Sequence, residues 1–457
     1  MAPGHLCRIH QQHHGILLNT DIYYIRMRKY PVLIIIIVFL FLSGAAGALD
    51  FSPDGYGSIS DYLNSIYGPD PNAALTAFPV LKIPMGGRSE GMAGAFTAVA
   101  DDVSFIEYNP AGSSMLSTSE LALFHNNWIA DTKLEGAVYA SRYKDLGFAA
   151  GVKWLYTPFT EYNMYGDRVS KGYYSEGVGT MNISYNFLRG YYFSGVSVGL
   201  NLKGAFRLVP DYSDADDQGN NQGQLVPGSG KSQSTAMGMA DAGALTRFDL
   251  FKFYNSRDRN TSLALVVRNL GPPAMDEPLP TVMVAALAYK PLRPLLFSFD
   301  FSVPINLMDT ALSEKPYWAF GFAGEITSFL SMRAGLMGKA GNARITLGSA
   351  IKLEKISLDI NYTLDLLTQI QPLNRVSLGV RFNLGDQGRK ALSDKVDALY
   401  LSGLDAYSRY DFKGAQGYWE EALKLDPSYE PAKEGLNTIN KTINIEGRIS
   451  DMQQLGF

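Results

Sequence analysis

The side chains that most often do acid–base, nucleophilic or metal chemistry are scarce in this chain of 457 residues. The single cysteine, Cys7, lies near the amino terminus, as do four of the five histidines, which are His5, His10, His13 and His14. His125 is the one histidine further along, so a Ser-His-Asp hydrolase would have to use it as the general base. We interpret His125 as a residue of a barrel wall, and we expect no enzyme activity and no cofactor.

One acidic stretch has part of the spacing of a calcium loop. Residues 211–219 contain four aspartates and end on Gly219. An EF-hand loop needs a glutamate six residues after its glycine, and Leu225 occupies that position. We therefore interpret the stretch as a solvated acidic loop, and we expect no metal site.

The composition combines low charge with many glycine and aromatic residues. Charged residues make up 18% of the chain, below the usual level of about 25%, and there are 45 glycines and 27 tyrosines. This composition fits strands that have one face in lipid and aromatic girdles at the membrane interfaces. The net charge of -4 offers no basic surface for nucleic acid, so we expect no nucleic-acid partner.

The amino terminus has the pattern of a secretory signal peptide. An unbroken apolar run from Val32 to Leu42 follows Arg28 and Lys29 and precedes small residues that end at Ala48. A basic flank, a short apolar core and an A-x-A site are typical of such signals. We expect cleavage after Ala48 and a true start at Met27, so that 1–48 is an upstream extension plus signal. The mature chain would then contain no cysteine, which rules out disulfides and cysteine chemistry.

From residue 120 onward the hydrophobic period becomes two, which predicts β-strands. In one example Phe297, Phe299 and Phe301 alternate with Ser298 and Asp300. Segments of about 9–11 residues suffice for a strand to cross a membrane. We predict a transmembrane barrel over 118–384, with about 14 antiparallel strands near 120–128, 133–143, 146–157, 177–187, 191–207, 235–249, 260–269, 280–290, 294–303, 316–325, 329–338, 343–353, 356–364 and 374–384.

The lengths of the connections support the same topology. With the amino-terminal segment on the inner side, the predicted inner connections are short, at 144–145, 188–190, 291–293, 327–328 and 354–355. The predicted outer connections are longer, at 158–176, 208–234, 270–279, 304–315 and 365–373. Short turns on one side and long loops on the other are typical of outer-membrane barrels. Only 250–259 is long on the inner side. A soluble β-sandwich gives no reason for short and long connections to alternate in this way.

Residues 49–117 precede the barrel, and we predict that they form a plug. Helical spacing predicts a short helix over 58–67 and a second helix that begins at Ser89, with Met92, Phe96 and Val99 on one side. The stretch from Pro84 to Gly112 is rich in glycine and alanine, and small residues allow close packing of backbones. It contains Gly87-Arg88, Gly91 to Ala95, Ala98 to Asp102 and Asn109-Pro110-Ala111-Gly112 in this order.

These four motifs resemble the amino-terminal hatch of the FadL-type long-chain fatty-acid transporters and of the related PorV/PorQ-like outer-membrane proteins. The FadL-type resemblance implies passive uptake of hydrophobic molecules such as long-chain fatty acids through the outer membrane. It implies that an acyl chain passes a rearranged hatch and leaves laterally through the wall. The residues implied in the gate and its hydrogen bonds are Arg88, Asn109, Pro110, Ala111 and Gly112.

Two other functions remain open. A PorV-like barrel would bind other envelope or secreted proteins and transport nothing, and a lipolytic outer-membrane enzyme would need a serine beside His125. A continuous apolar pocket in the lumen that ends at a gap in the wall would favour transport. A polar or filled lumen would favour the adaptor.

The carboxyl-terminal segment, 385–457, changes to a helical composition after a polar linker. It resembles a tetratricopeptide repeat in which Gly403, Ala415, Trp419, Ala422 and Pro427 fall at the repeat positions. One repeat cannot bury its own apolar face, so we expect this segment to pack on the inner mouth of the barrel, on a periplasmic partner protein or on a second copy. The resemblance implies partner binding by this periplasmic domain, and a two-helix tail without a binding role remains the alternative.

Overall fold

The computed structural model describes residues 65, 68, 70–128, 131–215, 221–340, 342–365 and 373–454. The predicted signal peptide, the cleavage site, nearly all of the predicted helix over 58–67 and part of the acidic loop lie outside these residues. Within the described ranges no helix is both long and apolar enough to cross a membrane.

Fourteen antiparallel strands form a closed barrel, which confirms the predicted fold class. The barrel closes where the first strand pairs with the last, with Leu121 opposite Phe382. A separate pair of short strands lies in the loop after the fifth strand. The strands are β1 Glu120–Asn127, β2 Lys133–Tyr143, β3 Leu146–Tyr162, β4 Arg168–Phe187, β5 Val196–Leu208, β6 Ser213–Ala215, β7 Asn221–Leu225, β8 Thr235–Phe248, β9 Thr261–Leu270, β10 Val282–Tyr289, β11 Leu295–Pro304, β12 Tyr317–Glu325, β13 Leu330–Lys339, β14 Asn342–Lys352, β15 Ile356–Asp365 and β16 Leu373–Asn383.

The alternation of side chains along the strands divides the barrel into an apolar outside and a polar inside. In β11, Phe299 and Phe301 are exposed on the outside, whereas Ser298, Asp300 and Ser302 are buried inside. An apolar outer surface on a closed barrel is stable only against lipid. The fold is therefore an all-β transmembrane barrel of the outer-membrane type.

The strand bounds differ from the prediction by more than two residues at two places. The predicted loop 158–176 is a continuation of β3 and β4, which pair as far as Tyr162 and Arg168; the register shifts near the end of this long hairpin. Conversely, residues 191–195 do not belong to β5, which begins at Val196. Gly195 has a positive φ of 84°, a backbone conformation outside the strand region. The inner connection 188–195 is therefore longer than predicted.

Residues 77–116, which we call the hatch, lie inside the barrel. They contain α1 Gly87–Glu90, α2 Phe105–Tyr108 and two 3₁₀ helices, Pro79–Leu81 and Pro110–Met115. The predicted helix that begins at Ser89 and extends to Val99 is wrong, because α1 ends after a single turn. Ala93, Gly94 and Ala100 have positive φ angles, which a continuous α-helix does not allow. Most of the hatch side chains are buried against the inner face of the wall.

Two of the outer loops also contain short helices. Helix α3, Ser229–Gln233, lies in the β5–β8 loop, and a 3₁₀ helix, Thr310–Leu312, lies between β11 and β12. In the β5–β8 loop the carboxylate of Asp211 accepts hydrogen bonds from the backbone amides of Gly228 and Gly230. The structural role of Asp211 is therefore to hold this loop together.

The carboxyl-terminal residues form three helices, which we call the tail. They are α4 Arg389–Ser408, α5 Phe412–Leu425 and α6 Glu430–Gln454. Their buried side chains, among them Val396, Trp419 and Ile439, form a small apolar cluster of their own. The helical composition predicted for this part of the chain therefore corresponds to helices.

Candidate functional site: the hatch and the cavity above it

The Asn109 side chain fixes the turn at the end of the hatch. Its Oδ1 accepts a hydrogen bond from the backbone amide of Ala111 at 3.0 Å, so Asn109 caps the 3₁₀ helix that begins at Pro110. Its Nδ2 donates to the carbonyl of Thr97 at 2.8 Å. Asn109 is fully buried, and the two bonds satisfy a polar group that would be costly to bury alone.

The same turn is hydrogen-bonded to the barrel wall. Asn182 of β4 donates to the carbonyl of Pro110 at 2.8 Å, and Ser197 of β5 donates to the carbonyl of Ala111 at 2.7 Å. The hydroxyl oxygens of Ser114 and Ser197 lie 2.5 Å apart. The turn from Asn109 to Gly112 is therefore buried and attached to β4 and β5.

Glycines on the inner face of the wall allow this close approach. A Cβ atom at Gly147 would collide with the backbone of Ser113 and Ser114, and one at Gly199 would collide with Pro110. On the opposite side of the lumen, a Cβ at Gly335 would collide with the hatch backbone at Met92 and Ala93. Gly112 has a similar role within the hatch, where a Cβ would lie 2.6 Å from the ring of Phe105.

Arg88, the other predicted gate residue, lies at the opposite end of the hatch sequence. Its guanidinium contacts the carboxylate of Asp101 at 2.6 Å and lies 5.7 Å from the centre of the Phe96 ring. Burial alone would raise the pKa of Asp101, but the charges of Arg88, Lys290 and Arg247 outweigh this effect and hold the pKa below its ordinary value. Because these contacts of Arg88 lie within the hatch, its structural role is to stabilise the fold of the hatch.

Ion pairs between the hatch and the wall were missed in the sequence. Glu90 is almost completely buried and contacts Arg375 of β16 at 2.6 Å. Asp102 contacts Arg381 of the same strand at 2.6 Å. A buried charge needs a partner. Charged residues at alternate strand positions were therefore the available sign in the sequence that the wall forms such ion pairs. Their partners in the hatch could not be identified from spacing.

A cavity of about 270 Å³ lies on the outer side of the hatch. Its apolar lining includes Leu81, Ile83 and Ile106 from the hatch and Val178 and Leu279 from the wall and an outer loop. Charged residues also reach it, among them Lys153, which is hydrogen-bonded to Glu107 of the hatch at 2.5 Å. The cavity thus has a mixed lining of apolar and charged side chains, and its floor is the hatch.

The guanidinium of Arg268 is the notable polar group of this cavity. One of its nitrogens donates to the carbonyl of Glu107 at 3.1 Å, and its planar group lies 5.5 Å from the centre of the Tyr108 ring. Its Nε is buried and has no hydrogen-bond partner within the described part of the chain. An unused buried donor of this kind can donate a hydrogen bond to a ligand atom such as a carboxylate oxygen.

A family model described as uncharacterised protein family UPF0164 matches residues 70–387, which include the hatch and the barrel. The chain belongs to this family. A UPF0164 protein of Treponema pallidum (strain Nichols) is 30% identical over 384 residues, which cover 80% of this chain and 84% of the relative. Another from the same organism is 26% identical over 394 residues, which cover 82% of this chain and 77% of the relative.

Among solved structures, this UPF0164 chain is similar to the toluene transporter TodX of P. putida, with 12% identity and a TM-score of 0.43. The alignment covers 66% of this chain and all of TodX. It is also similar to the outer membrane protein Omp33 of Acinetobacter baumannii, with 7% identity, a TM-score of 0.31, and 59% and 98% of the two chains covered.

The five residues predicted from the tetratricopeptide resemblance lie together in the tail of the UPF0164 chain. Ala415, Trp419 and Ala422 are buried between the helices, and the Trp419 indole donates to the carbonyl of Tyr400 at 3.2 Å. A Cβ at Gly403 would collide with that indole, and Pro427 is exposed after α5. The four buried residues form the core of the tail, so a partner would contact other side chains.

His125 lies on the outer face of β1, where its Nδ1 is 2.8 Å from a carboxylate oxygen of Glu135 on β2. We expected no nucleophile elbow in this chain, and this expectation is wrong for the sequence, because the G-x-S-x-G spacing occurs at 87–91 and 195–199. The hydroxyls of Ser89 and Ser197 donate to the backbone carbonyls of Gly86 and Ala111. Neither serine is hydrogen-bonded to His125, so these described residues do not assemble a Ser-His pair.

Proposed function

We propose that this protein is an outer-membrane channel for passive uptake of hydrophobic molecules, such as long-chain fatty acids, and that the hatch gates it. The tail would lie in the periplasm. The observation that carries the proposal is the largely apolar cavity between the outer loops and the hatch. Apolar ligands are bound in concave, mostly apolar sites with a few polar groups that orient them.

Arg268 supports the choice of an acid as the cargo. Arg268 lines the cavity, its buried Nε has no hydrogen-bond partner within the described residues, and a carboxylate that reached it would accept a charge-assisted hydrogen bond. The apolar residues around it would contact the hydrocarbon chain. An alcohol would accept only an uncharged and therefore weaker hydrogen bond from this donor, so we expect tighter binding of a fatty acid than of the corresponding alcohol.

Passage requires that the hatch moves. The hatch fills the lumen below the cavity, and each barrel strand pairs with both of its neighbours over the described residues. The wall is therefore closed by strand pairing within these residues, with one register shift between β8 and β9 at Ala240/Ala242, and a channel must open by rearrangement. We assign the gate to the turn at Asn109–Gly112, whose hydrogen bonds to β4 and β5 would break on opening.

A disulfide across this contact tests the gate. Ser114 and Ser197 have hydroxyls 2.5 Å apart, so cysteines at both positions are close enough to be oxidised. We expect uptake of labelled fatty acid into proteoliposomes by the oxidised Ser114→Cys/Ser197→Cys variant to fall to the level of empty liposomes. Uptake should recover after reduction.

The matched control places the disulfide within the wall. Ser119 and Ser141 have hydroxyls 2.9 Å apart, and a disulfide between cysteines there would leave the hatch free. Normal uptake by the oxidised Ser114→Cys/Ser197→Cys variant would refute gating at this turn. A wild-type protein that neither binds nor transports fatty acid would refute the channel itself.

The adaptor function is the second candidate, and the filled lumen favours it. The tail also exposes apolar side chains, including Leu401, Tyr410 and Ile445, which a protein partner could cover. An adaptor would capture envelope or secreted proteins without transporting acyl chains. Loss of a co-purifying periplasmic protein after deletion of 389–457, together with absent fatty-acid binding by the full chain, would support the adaptor over the channel.

A further inference from the structure

A second cavity lies at the inner rim of the barrel, on the opposite side of the hatch from the apolar cavity. It is a recess of about 490 Å³ between the hatch, the wall and the inner connections 188–195 and 249–260. Its lining contains two carboxylates, those of Asp101 and Asp258. The same lining contains six cationic side chains, those of Arg142, Arg189, Arg247, Arg257, Arg259 and Lys290.

Three of these cations are neutralised by carboxylates of their own. Arg189 pairs with Asp145 at 2.9 Å, and Arg259 pairs with Asp249 at 2.6 Å. Arg257 pairs with a carboxylate of the tail. The remaining three are Arg142, Arg247 and Lys290.

The remaining three cations have N–H donors that form no hydrogen bond among the described residues. Arg247 donates to the carbonyl of Val99 at 2.9 Å, and Arg142 donates to the carbonyls of Leu116 and Lys144. A guanidinium has five N–H donors and an ammonium three, so most remain available. None of the three forms an ion pair within the described part of the chain. Positive charge that is partly removed from water without an anionic partner is unfavourable.

Asp101 of the hatch partly compensates this charge, and Asp258 also interacts through space with Arg247. Asp101 hydrogen-bonds Arg88 at 2.6 Å and interacts with Arg247 and Lys290 through space. Burial lowers the pKa of Lys290; the charge of Asp101 opposes this, and those of Arg88 and Arg247 add to it. A second anion in the recess would therefore share these cations with the hatch.

We propose that this recess binds a small organic oxyanion, a carboxylate or phosphate ester with an apolar body, on Arg142, Arg247 and Lys290. Oxyanions present several acceptor oxygens, which match clustered guanidinium and ammonium donors. Buried apolar side chains of Val99, Met115, Ala288 and Leu296 lie in the same lining and would contact the apolar body. This site is independent of whether the barrel transports hydrophobic molecules.

Calorimetry with phenyl phosphate on the full chain in zwitterionic lipid nanodiscs tests the site. Benzyl alcohol and benzylamine are probes of similar shape with neutral and positive charge. We expect phenyl phosphate to bind, the two others not to bind, and the affinity to fall as salt is added, because salt screens charge. Equal binding of the three probes would overturn the proposal.

Two substitutions should change the affinity in opposite directions. Lys290→Gln should weaken phenyl phosphate binding about tenfold, the scale of one hydrogen bond to a charged group. Asp101→Asn should tighten binding, because it removes the competing carboxylate. Lys355→Gln, at an exposed inner turn outside the recess, is the control and should leave binding unchanged. Equal affinities for the Lys290→Gln and Lys355→Gln variants would overturn the proposal.

The same chemistry could be supplied by a soluble molecule or by the headgroup of an anionic lipid. Nanodiscs that contain phosphatidylglycerol separate these sources. Weaker phenyl phosphate binding in those nanodiscs, at equal ionic strength, would show that the headgroup occupies the recess. Unchanged binding would assign the site to a soluble anion.

Arg247→Lys keeps the charge and should retain binding. Heat-modifiable migration confirms that each variant is folded.

Discussion

The hatch and the tail both contact the barrel. The hatch lies in the lumen, where the wall surrounds it, whereas the tail lies outside the lumen and contacts the inner rim. The hatch meets the wall through buried side chains, backbone-to-glycine contacts and ion pairs such as Glu90–Arg375. The tail meets it through the pair Arg257–Asp397, in which the arginine side chain is 58% exposed, and through Arg389, which donates to the carbonyls of Ser117 and Arg142. Tyr191 and Tyr429 also stack edge to face across this contact at 5.1 Å.

This difference predicts unequal energetic roles. Breaking a buried ion pair leaves an uncompensated charge in a medium of low dielectric constant, which is strongly destabilising. An exposed pair is screened by water and salt, so its loss costs little. The hatch should therefore unfold together with the barrel, whereas the tail should detach without disturbing it.

The largest effect is expected where a side chain would occupy space that the hatch backbone already fills. Gly199 and Gly204 lie in the same strand, but a Cβ atom at Gly199 would collide with Pro110, whereas one at Gly204 would have nothing within 4 Å. Gly199→Val should lower the free energy of unfolding by about 3 kcal/mol or more, and Gly204→Val should change it little. Urea titration followed by heat-modifiable migration measures both. Equal stability of the two variants would contradict the close hatch–wall contact.

The next effect concerns the buried pair between Glu90 and Arg375. Glu90→Leu or Arg375→Met alone should destabilise the protein by about 3 kcal/mol, because each removes one partner of a buried ion pair. The double variant should lose clearly less than the sum of the two, since it removes both charges. The same urea titration gives the four stabilities of this cycle. Strict additivity would show that the two side chains do not interact.

The smallest effect is expected at the tail. Arg257→Gln should weaken docking of the tail by about 1 kcal/mol or less, because the pair with Asp397 is largely exposed. Limited proteolysis of the linker 385–388 should become faster, while urea titration of the barrel stays unchanged. Arg168→Gln, an exposed arginine at the start of β4, is the control. Loss of heat-modifiable migration after deletion of 389–457 would show instead that the barrel depends on the tail.

The strand pattern was predictable because a strand has a simple period. Residues such as Phe299 and Asp300 must point to opposite faces, so the alternation identified the barrel before its pairing was known. The hatch helix was predicted wrongly from the spacing of Met92, Phe96 and Val99. Close contact with the wall, at positions such as Gly335, outweighs local helical preference there.

The inner connections were also only partly predictable. Residues 191–195 were predicted as part of a strand, but Tyr191 and Tyr192 instead contact the tail through Tyr429 and Glu434. Such a contact joins residues more than 200 positions apart, and no local period signals it. The basic recess was missed for the same reason, because its cations come from several strands and connections.

By itself the sequence determined the number and alternation of the strands and the separate composition of hatch and tail, because these depend on local periodicity and residue type. Only the tertiary structure decided which glycines face the hatch, since a shift of one residue in register would turn Gly199 to the outside. It also decided which charges pair, because Glu90 and Arg375 meet only when the barrel closes around the hatch. Closure brings distant residues together, and that geometry creates both cavities.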